Sequence, residues 1–279
     1  MHKTVSILGC GWLGLPLAEF LLAEGFAVKG STTSAGKLPV LAQKGIQPFL
    51  LDLRIGIAGT NGEKLDEWRD FLQTDILLIS IPPRTDVYGH DAHARQIRHF
   101  TYPLIFSDVK IIYLSSTSVY PENRQTADET SEVVEGNAMV KAEKIVLEEM
   151  AFEGRPPRAT VLRCGGLMGY NRIPGKYVAG KTIATGDVPV NFVHRDDVVR
   201  IIHEIIRQEK WGGVYNVVAP QHPVRRDIYA RNAQEFGYAP PLYDDSQTPG
   251  YKLVSSEKVI RELDCEFLFP DPVSFPYAP

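Results

Sequence analysis

The chain is poor in cysteine. Its three, Cys10, Cys164 and Cys265, are odd in number and far apart, so neither a disulfide framework nor a zinc-ligand spacing can be drawn from them. It also lacks an excess of positive charge. Thirty Lys and Arg against 34 Asp and Glu leave a net charge of -4, with no cluster to track the phosphates of a nucleic acid. No apolar run approaches the roughly 20 residues that a membrane span needs; the most apolar later run covers only 76–81. The opening Met1 to Gly25 is interrupted by Glu19 and by glycines and is followed by no small-residue cleavage site, so it is not read as an export signal. The expected setting is cytoplasmic, without nucleic-acid or membrane partners.

What is present is the composition of an ordinary globular protein, 44% hydrophobic and 23% charged over 279 residues, long enough to bury a sizeable core. Short apolar runs alternate with helix-like segments, the pattern of βαβ units feeding a parallel sheet. Strands are expected at 5–8, 26–29, 48–51, 75–81 and 109–114, helices at 15–24 and 38–43, and a long helix over 134–152. A strand at 159–163, a glycine-rich turn at 165–169, loops through 170–192, a helix at 196–208 and a strand at 214–218 follow. The tail from 220 mixes two short helical stretches with proline-rich loops.

The expected fold class is therefore α/β, a Rossmann-type doubly wound parallel sheet with a small C-terminal substrate-binding region. Residues 1–169 would form the dinucleotide-binding domain, completed by about 195–219, and 170–194 with 220–279 the smaller region.

The first strand runs into Gly9-Cys10-Gly11-Trp12-Leu13-Gly14 and then a helix, the setting that a G-x-G-x-x-G motif requires. Gly9 permits the tight turn, Gly11 lets backbone approach a pyrophosphate, and Gly14 lets helix and strand pack; the helix start adds unpaired N–H groups and a positive dipole end. Trp12 and Leu13 belong to the same candidate cofactor loop. An acid at the end of the second strand would grip a ribose 2'-hydroxyl and disfavour a 2'-phosphate. Here that stretch reads Gly30-Ser31-Thr32-Thr33-Ser34-Ala35-Gly36-Lys37, without an acid. The hydroxyls of Ser31, Thr32 and Thr33 and the Lys37 ammonium favour NADP, with NAD as the alternative.

The string Leu114-Ser115-Ser116-Thr117-Ser118-Val119-Tyr120 resembles the S-S-x-x-V-Y motif of the extended short-chain dehydrogenase/reductases, the NAD-dependent epimerase/dehydratase family. Leu162 to Gly169, Asn191 to Val198 and Gly213 to Val217 are similar to its later motifs, in the right order along the chain. The resemblance, narrowest to a YeeZ-like branch, implies a small-molecule or nucleotide-linked substrate, a nicotinamide cofactor and a homodimer. It assigns Ser116 to the catalytic serine and Ser115 to the cofactor. It sets Ile81, Pro82, Pro83 and Arg84 beside the nicotinamide ribose and Asp52 and Leu53 beside the adenine. Asn191 falls among the substrate contacts.

The family's proton-transfer pair is Y-x-x-x-K on the helix after the fifth strand. The matching stretch here is Asn137-Ala138-Met139-Val140-Lys141, and no tyrosine or histidine occurs from Pro121 to Gly169. Positions 137 and 141 share a helical face. Lys141 can still hold a cofactor ribose, but an asparagine cannot serve as general acid or base. Tyr120 and Tyr170 are the candidate substitutes, each against the plainer reading of a packing tyrosine. Arg84, Arg172, Lys176 and Lys181, in expected loops, could hold an anionic ligand or be surface charges; Tyr120 is a second candidate substrate contact. His90, His93 and His99 have helix-compatible spacings, but His90 and His93 follow a Gly-containing polar loop and lack a nearby cysteine or a clear third ligand, and no metal site is expected. Two functions follow: an NAD(P)-dependent oxidoreductase or epimerase with a noncanonical proton donor, or a non-catalytic NADP-binding or redox-sensing protein.

Overall fold

A computed structural model describes residues 3–53, 62–151 and 154–278. Five strands, β1 (Thr4–Leu8), β2 (Ala27–Thr32), β3 (Gln47–Leu50), β4 (Ile76–Ile79) and β5 (Lys110–Ser116), are followed by β6 (Ala159–Cys164), β7 (Gly166–Met168), β8 (Phe192–His194) and β9 (Val214–Val217). Seven of them form one sheet in the order β9, β6, β5, β4, β1, β2, β3. β1 pairs in parallel with both β2 and β4, and the parallel ladder continues to β3 on one side and β5 on the other. The winding therefore reverses between β1 and β4, and the carboxyl ends of strands at such a switch point open a crevice where ligands bind.

The sequence explains the layering. β4 reads Ile-Leu-Leu-Ile and is buried along its whole length, as a strand covered on both faces must be. In β1 the one buried polar side chain is Ser6, whose hydroxyl donates to the carbonyl of Phe71 at 2.7 Å, which removes the penalty of an unpaired polar group. Helix α1 (Gly14–Ala23) buries Leu17, Ala18 and Leu21 on one face. Helices α2 (Leu38–Gln43), α3 (Gly62–Leu72) and α4 (Ala92–Thr101) follow. Trp68 stacks edge-on against Phe100 at 5.2 Å, and Phe71 does the same against Phe49 at 5.2 Å.

The chain divides into two compact units. The first comprises 1–115, 135–162 and 205–214, the second 116–134, 163–204 and 215–279. The second holds the parallel pair β7–β8, two-residue ladders, and helices α7 (Arg225–Phe236) and α8 (Glu257–Leu263), with Val190, Ile228 and Tyr229 at a core. Helix α6 (Arg195–Arg207) runs from this unit into the first.

Three expectations shift. Helices α3 and α4 were not anticipated. The long helix expected over 134–152 is a shorter helix α5 (Ala138–Lys144) continued by a π-helical turn at Ile145–Glu149. It starts late because Asn137, in extended conformation, caps it, while the amide of Val134 donates to the carbonyl of Val119 at 2.8 Å. The expected last residue, Phe152, lies outside the described residues, as do Met1 and Pro279. Among the described residues no helix is long and apolar enough to cross a membrane.

Candidate functional site

In the first unit, β1 ends in a turn that only glycine can make. Gly9 has φ +102°, and a Cβ on it would lie 2.8 Å from the carbonyl oxygen of Ser80. A Cβ on Gly14 would lie 2.2 Å from the Gly9 carbonyl, so helix α1 can start this close to the strand only without a side chain there. Gly11 differs. Its φ is not in the left-handed region, and nothing stands within 4 Å of the place its Cβ would take. The protein's own packing gives no reason for glycine at position 11; the space beside it is a cradle that a side chain would fill.

The end of β2 holds this loop in place. The amide of Gly9 donates to the Ser31 hydroxyl at 2.9 Å and the amide of Cys10 to the Ser31 carbonyl at 2.8 Å. Ser31 is almost fully buried. Its hydroxyl, expected to face a ligand, is thus engaged by the loop itself. The Cys10 thiol is buried against the same residues and pushed up to about 12 by desolvation, which leaves it a packing group rather than a nucleophile.

A cavity of about 320 Å³ opens at this switch point. Gly9 and Gly11 line one wall; Ser31, Thr32, Thr33 and Lys37 line the next. Asp52 and Leu53 after β3, then Ile81, Pro82, Pro83 and Arg84 after β4, complete it, joined by Gln96 of α4. Of the residues assigned to the cofactor from sequence, Trp12, Leu13, Gly14, Ser115 and Lys141 are not among its walls. Leu13 and Gly14 are buried in the start of α1. The Thr32 hydroxyl accepts from the amide of Ser34 at 3.1 Å, and Lys37 is exposed. Arg84 is exposed, with φ +45°.

Also in the first unit, the Asn137 side chain accepts from the amide of Met139 at 2.8 Å, so the residue expected at the acid position is a helix cap. Lys141, one turn on, donates to the Asp91 carboxylate at 2.5 Å. That ammonium holds the Asp91 carboxyl below its ordinary 3.8. Ser115 is buried, and its hydroxyl donates to the carboxylate of Glu143. Glu143, with 3% of its surface exposed, escaped the sequence reading, as did the pairing of His93 with Tyr113. The His93 Nε2 and Tyr113 hydroxyl lie 2.8 Å apart, both fully buried. Burial pushes His93 down to about 4; it raises Tyr113 well above 10, with Glu143 adding to the rise. The only advance signal was two polar residues, Tyr113 and Ser115, on one face of an apolar strand. Among the described residues no group of three His, Cys, Asp or Glu side chains is set to hold a metal ion.

The remaining candidates belong to the second unit. Ser116 caps a 3₁₀ turn, its hydroxyl accepting from the amide of Ser118 at 3.1 Å. Tyr120 is 1% exposed; its hydroxyl donates to Asn216 and accepts from Arg163, each at 2.8 Å. Burial raises its pKa, with Arg163 opposing, a setting that fits the packing tyrosine better than a proton donor. Tyr170 donates to Asp196 at 2.5 Å beneath the Arg195 guanidinium, 4.0 Å from the ring centre. Its pKa is raised, first by the Asp196 bond. Asn191 spends both ends of its amide on backbone, donating to the Lys252 carbonyl at 2.8 Å and accepting from the Val254 amide at 2.9 Å. Arg172 is half-buried, and Lys176 and Lys181 are exposed.

No protein-family model matches the chain. Protein YeeZ of Escherichia coli K12 is 32% identical to it over 278 residues, covering 98% of this chain and 99% of YeeZ. Among solved structures, an inferred NAD-dependent epimerase/dehydratase of Methylobacillus flagellatus superposes with a TM-score of 0.74 at 24% identity, covering 99% of this chain and 96% of that one. MoeE5, solved with UDP-glucuronic acid and NAD, gives a TM-score of 0.77 at 15% identity, with 98% and 97% covered.

Proposed function

The chain belongs to the YeeZ family and has the Rossmann-type fold of the extended short-chain dehydrogenase/reductases, and from that premise we propose that it binds a nicotinamide dinucleotide at the glycine loop and acts as an oxidoreductase or epimerase of the epimerase/dehydratase type. The observation that carries this reading is Gly11. Its neighbours Gly9 and Gly14 are glycine for the fold's sake, whereas Gly11 is glycine beside open space at the mouth of the cavity, where a pyrophosphate would meet backbone N–H groups and the start of α1. A bound dinucleotide would supply the hydride acceptor or donor. The chain's own residues would orient it: Asp52 and Leu53 at the adenine, Ile81 to Arg84 at the nicotinamide ribose.

We assign NADP as the preferred cofactor on Thr32, Thr33 and Lys37, which offer hydroxyls and a positive charge to a 2'-phosphate. Ser31 drops out of that set because its hydroxyl is bound to the loop. The substrate is a small or nucleotide-linked carbonyl or hydroxyl compound. MoeE5, with its UDP-sugar, supports the nucleotide-linked form.

Asn137 supports a second reading. Its side-chain oxygen accepts at the head of α5; on the correspondence drawn from the motif, a structural group stands where the family has its acid, as in a protein that binds the dinucleotide without turning it over. Calorimetric titration with NADP and NAD tests the common ground. Micromolar binding or tighter, about -8 kcal/mol, is expected for NADP; absence of binding by either would overturn both readings. Oxidation or reduction of NADP(H) by the wild-type protein with any UDP-sugar or small carbonyl would refute the non-catalytic one.

A further inference from the structure

Gln96 is a wall of the cavity that no sequence motif announces. It stands on α4 three positions after His93, one before Ile97 and four before Phe100, all fully buried, so its stem lies along the packed face of the helix. The side chain is half-buried, and among the described residues its carboxamide has no hydrogen-bond partner. A polar group drawn partly out of water without a partner costs free energy, and an apolar side chain would serve the packing of α4 as well. The fold gives no reason for an amide at position 96, as it gives none for glycine at position 11.

The other walls indicate what such an amide would meet. At about 320 Å³ the cavity is at the small end of ligand sites, which span roughly 300–1,000 Å³, and has room for one end of a dinucleotide. Leu53, Ile81, Pro82 and Pro83 give it apolar surface, which suits the flat faces of a base. Of the charged walls, Lys37 and Arg84 can only donate hydrogen bonds and an ionised Asp52 can only accept them. A carboxamide presents a donor and an acceptor side by side. Adenine does the same at its N6 amino group and N7, and a glutamine side chain pairs with that edge through two bonds; guanine shows two acceptors there, O6 and N7.

Resting on the dinucleotide reading above, we propose that Gln96 reads the adenine base, its carboxamide oxygen accepting from the N6 amino group and its nitrogen donating to N7. Asp52, assigned above to the adenine, can accept from the same amino group but, ionised, has no hydrogen to give to N7. Gln96 supplies that donor and fixes which edge of the base is read. It is a specificity-determining residue for the base, on a helix that none of the quoted motifs reaches.

A cofactor altered only at that edge tests the assignment. Nicotinamide hypoxanthine dinucleotide phosphate carries an oxygen where NADP has the 6-amino group and keeps every phosphate and both riboses. Calorimetric titration of the full chain, with NAD and its hypoxanthine form run alongside, should show the wild type binding the adenine form about ten-fold or more tightly. Q96A, and Q96M with its similar length, should lower that ratio several-fold, through weaker binding of the adenine form and not through tighter binding of the analogue. Thermal unfolding of the free variants should match the wild type, because the amide gives up no bond within the protein. Wild-type protein that binds the two forms equally overturns the proposal and leaves the dinucleotide reading standing. A ratio unchanged in both variants overturns it as well, whether or not the overall affinity falls. Wild-type protein that binds neither form of either cofactor removes the dinucleotide reading and the role of Gln96 with it.

Discussion

Substituting Gly11 by alanine separates what the fold requires from what a ligand requires. The backbone at 11 lies outside the left-handed region, and the new methyl group meets no protein atom within 4 Å. Folding should therefore tolerate it. A Gly→Ala change at a compatible site stabilises by about 0.4–1 kcal/mol, because the unfolded chain loses freedom. The pyrophosphate that we place in that space would have to move away by a methyl radius. Overpacking a filled site costs about 1–3 kcal/mol, equivalent to a roughly 5- to 150-fold loss of affinity. The control is Gly14→Ala, whose Cβ would sit 2.2 Å from the Gly9 carbonyl; it should unfold at lower urea whether or not ligand is present. Urea unfolding and calorimetric titration with NADP, run on both variants, give the answer. Undiminished NADP binding by G11A would show that the open space is not where a dinucleotide lies, and a destabilised G11A would show that the glycine is structural after all.

Three further outcomes are expected. Lys37→Ala should weaken NADP about ten-fold and leave NAD nearly unaffected; an equal loss of both by titration would remove Lys37 from the 2'-phosphate. Tyr120→Phe leaves Arg163 and Asn216, both buried, short of a partner, and should cost about 1–3 kcal/mol in urea unfolding, with no measurable loss counting against the network. Asp197 is 2% exposed and raised from 3.8 to about 6, chiefly by burial, with the amides of Leu268 and Phe269 opposing. The native protein thus binds its proton more tightly than the unfolded chain does. This carboxyl contributes stability that is fully present below about pH 4 and is lost as the pH rises through about 6, amounting to about 3 kcal/mol. The gap in unfolding free energy between wild type and D197N should change in that window, and a gap constant from pH 4 to 7 would contradict the assignment.

How much of this was legible beforehand depended on the range of the forces involved. The glycine loop is local: a turn at Gly9 and close packing at Gly14 are dictated within a few residues, and the motif announces them. The buried strands announce themselves in the same way, as in the Ile-Leu-Leu-Ile of β4. Helix α4 does not, because its sequence, Ala-His-Ala-Arg-Gln-Ile-Arg-His-Phe-Thr, hides the buried His93, Ala94, Ile97 and Phe100 among charged and polar neighbours. Side-chain destinations were the least legible. Asn191, expected at a substrate, ties down backbone 61 and 63 positions further on. Tyr120 meets Asn216 across 96 positions. Only the folded chain brings such partners together, and a motif specifies the residue type without saying whether its polar end faces a ligand or another part of the protein.

Asn137, set by the motif at the position of the family's tyrosine, has a physical consequence within the first unit. Asparagine at the head of α5 stabilises the helix by satisfying an amide that would otherwise lack an intrahelical partner, an effect worth about 1 kcal/mol; a tyrosine there would give up that cap to regain an acid. On the proposed correspondence, Asn137 as a cap and Lys141 one turn on would leave the binding half of the family's pair without its titrating half. The buried groups nearest in sequence to that function do not replace it. His93 is held down to about 4 and Tyr113 well above 10 by burial. Each keeps one charge state across the neutral range, the imidazole uncharged and the phenol protonated, and a group that does not change charge near the working pH is a poor proton exchanger. If turnover is found, its proton must therefore enter from a solvent-facing group or from the substrate itself. A pH profile unchanged in H93Q and Y113F would separate that route from any relay through the buried pair.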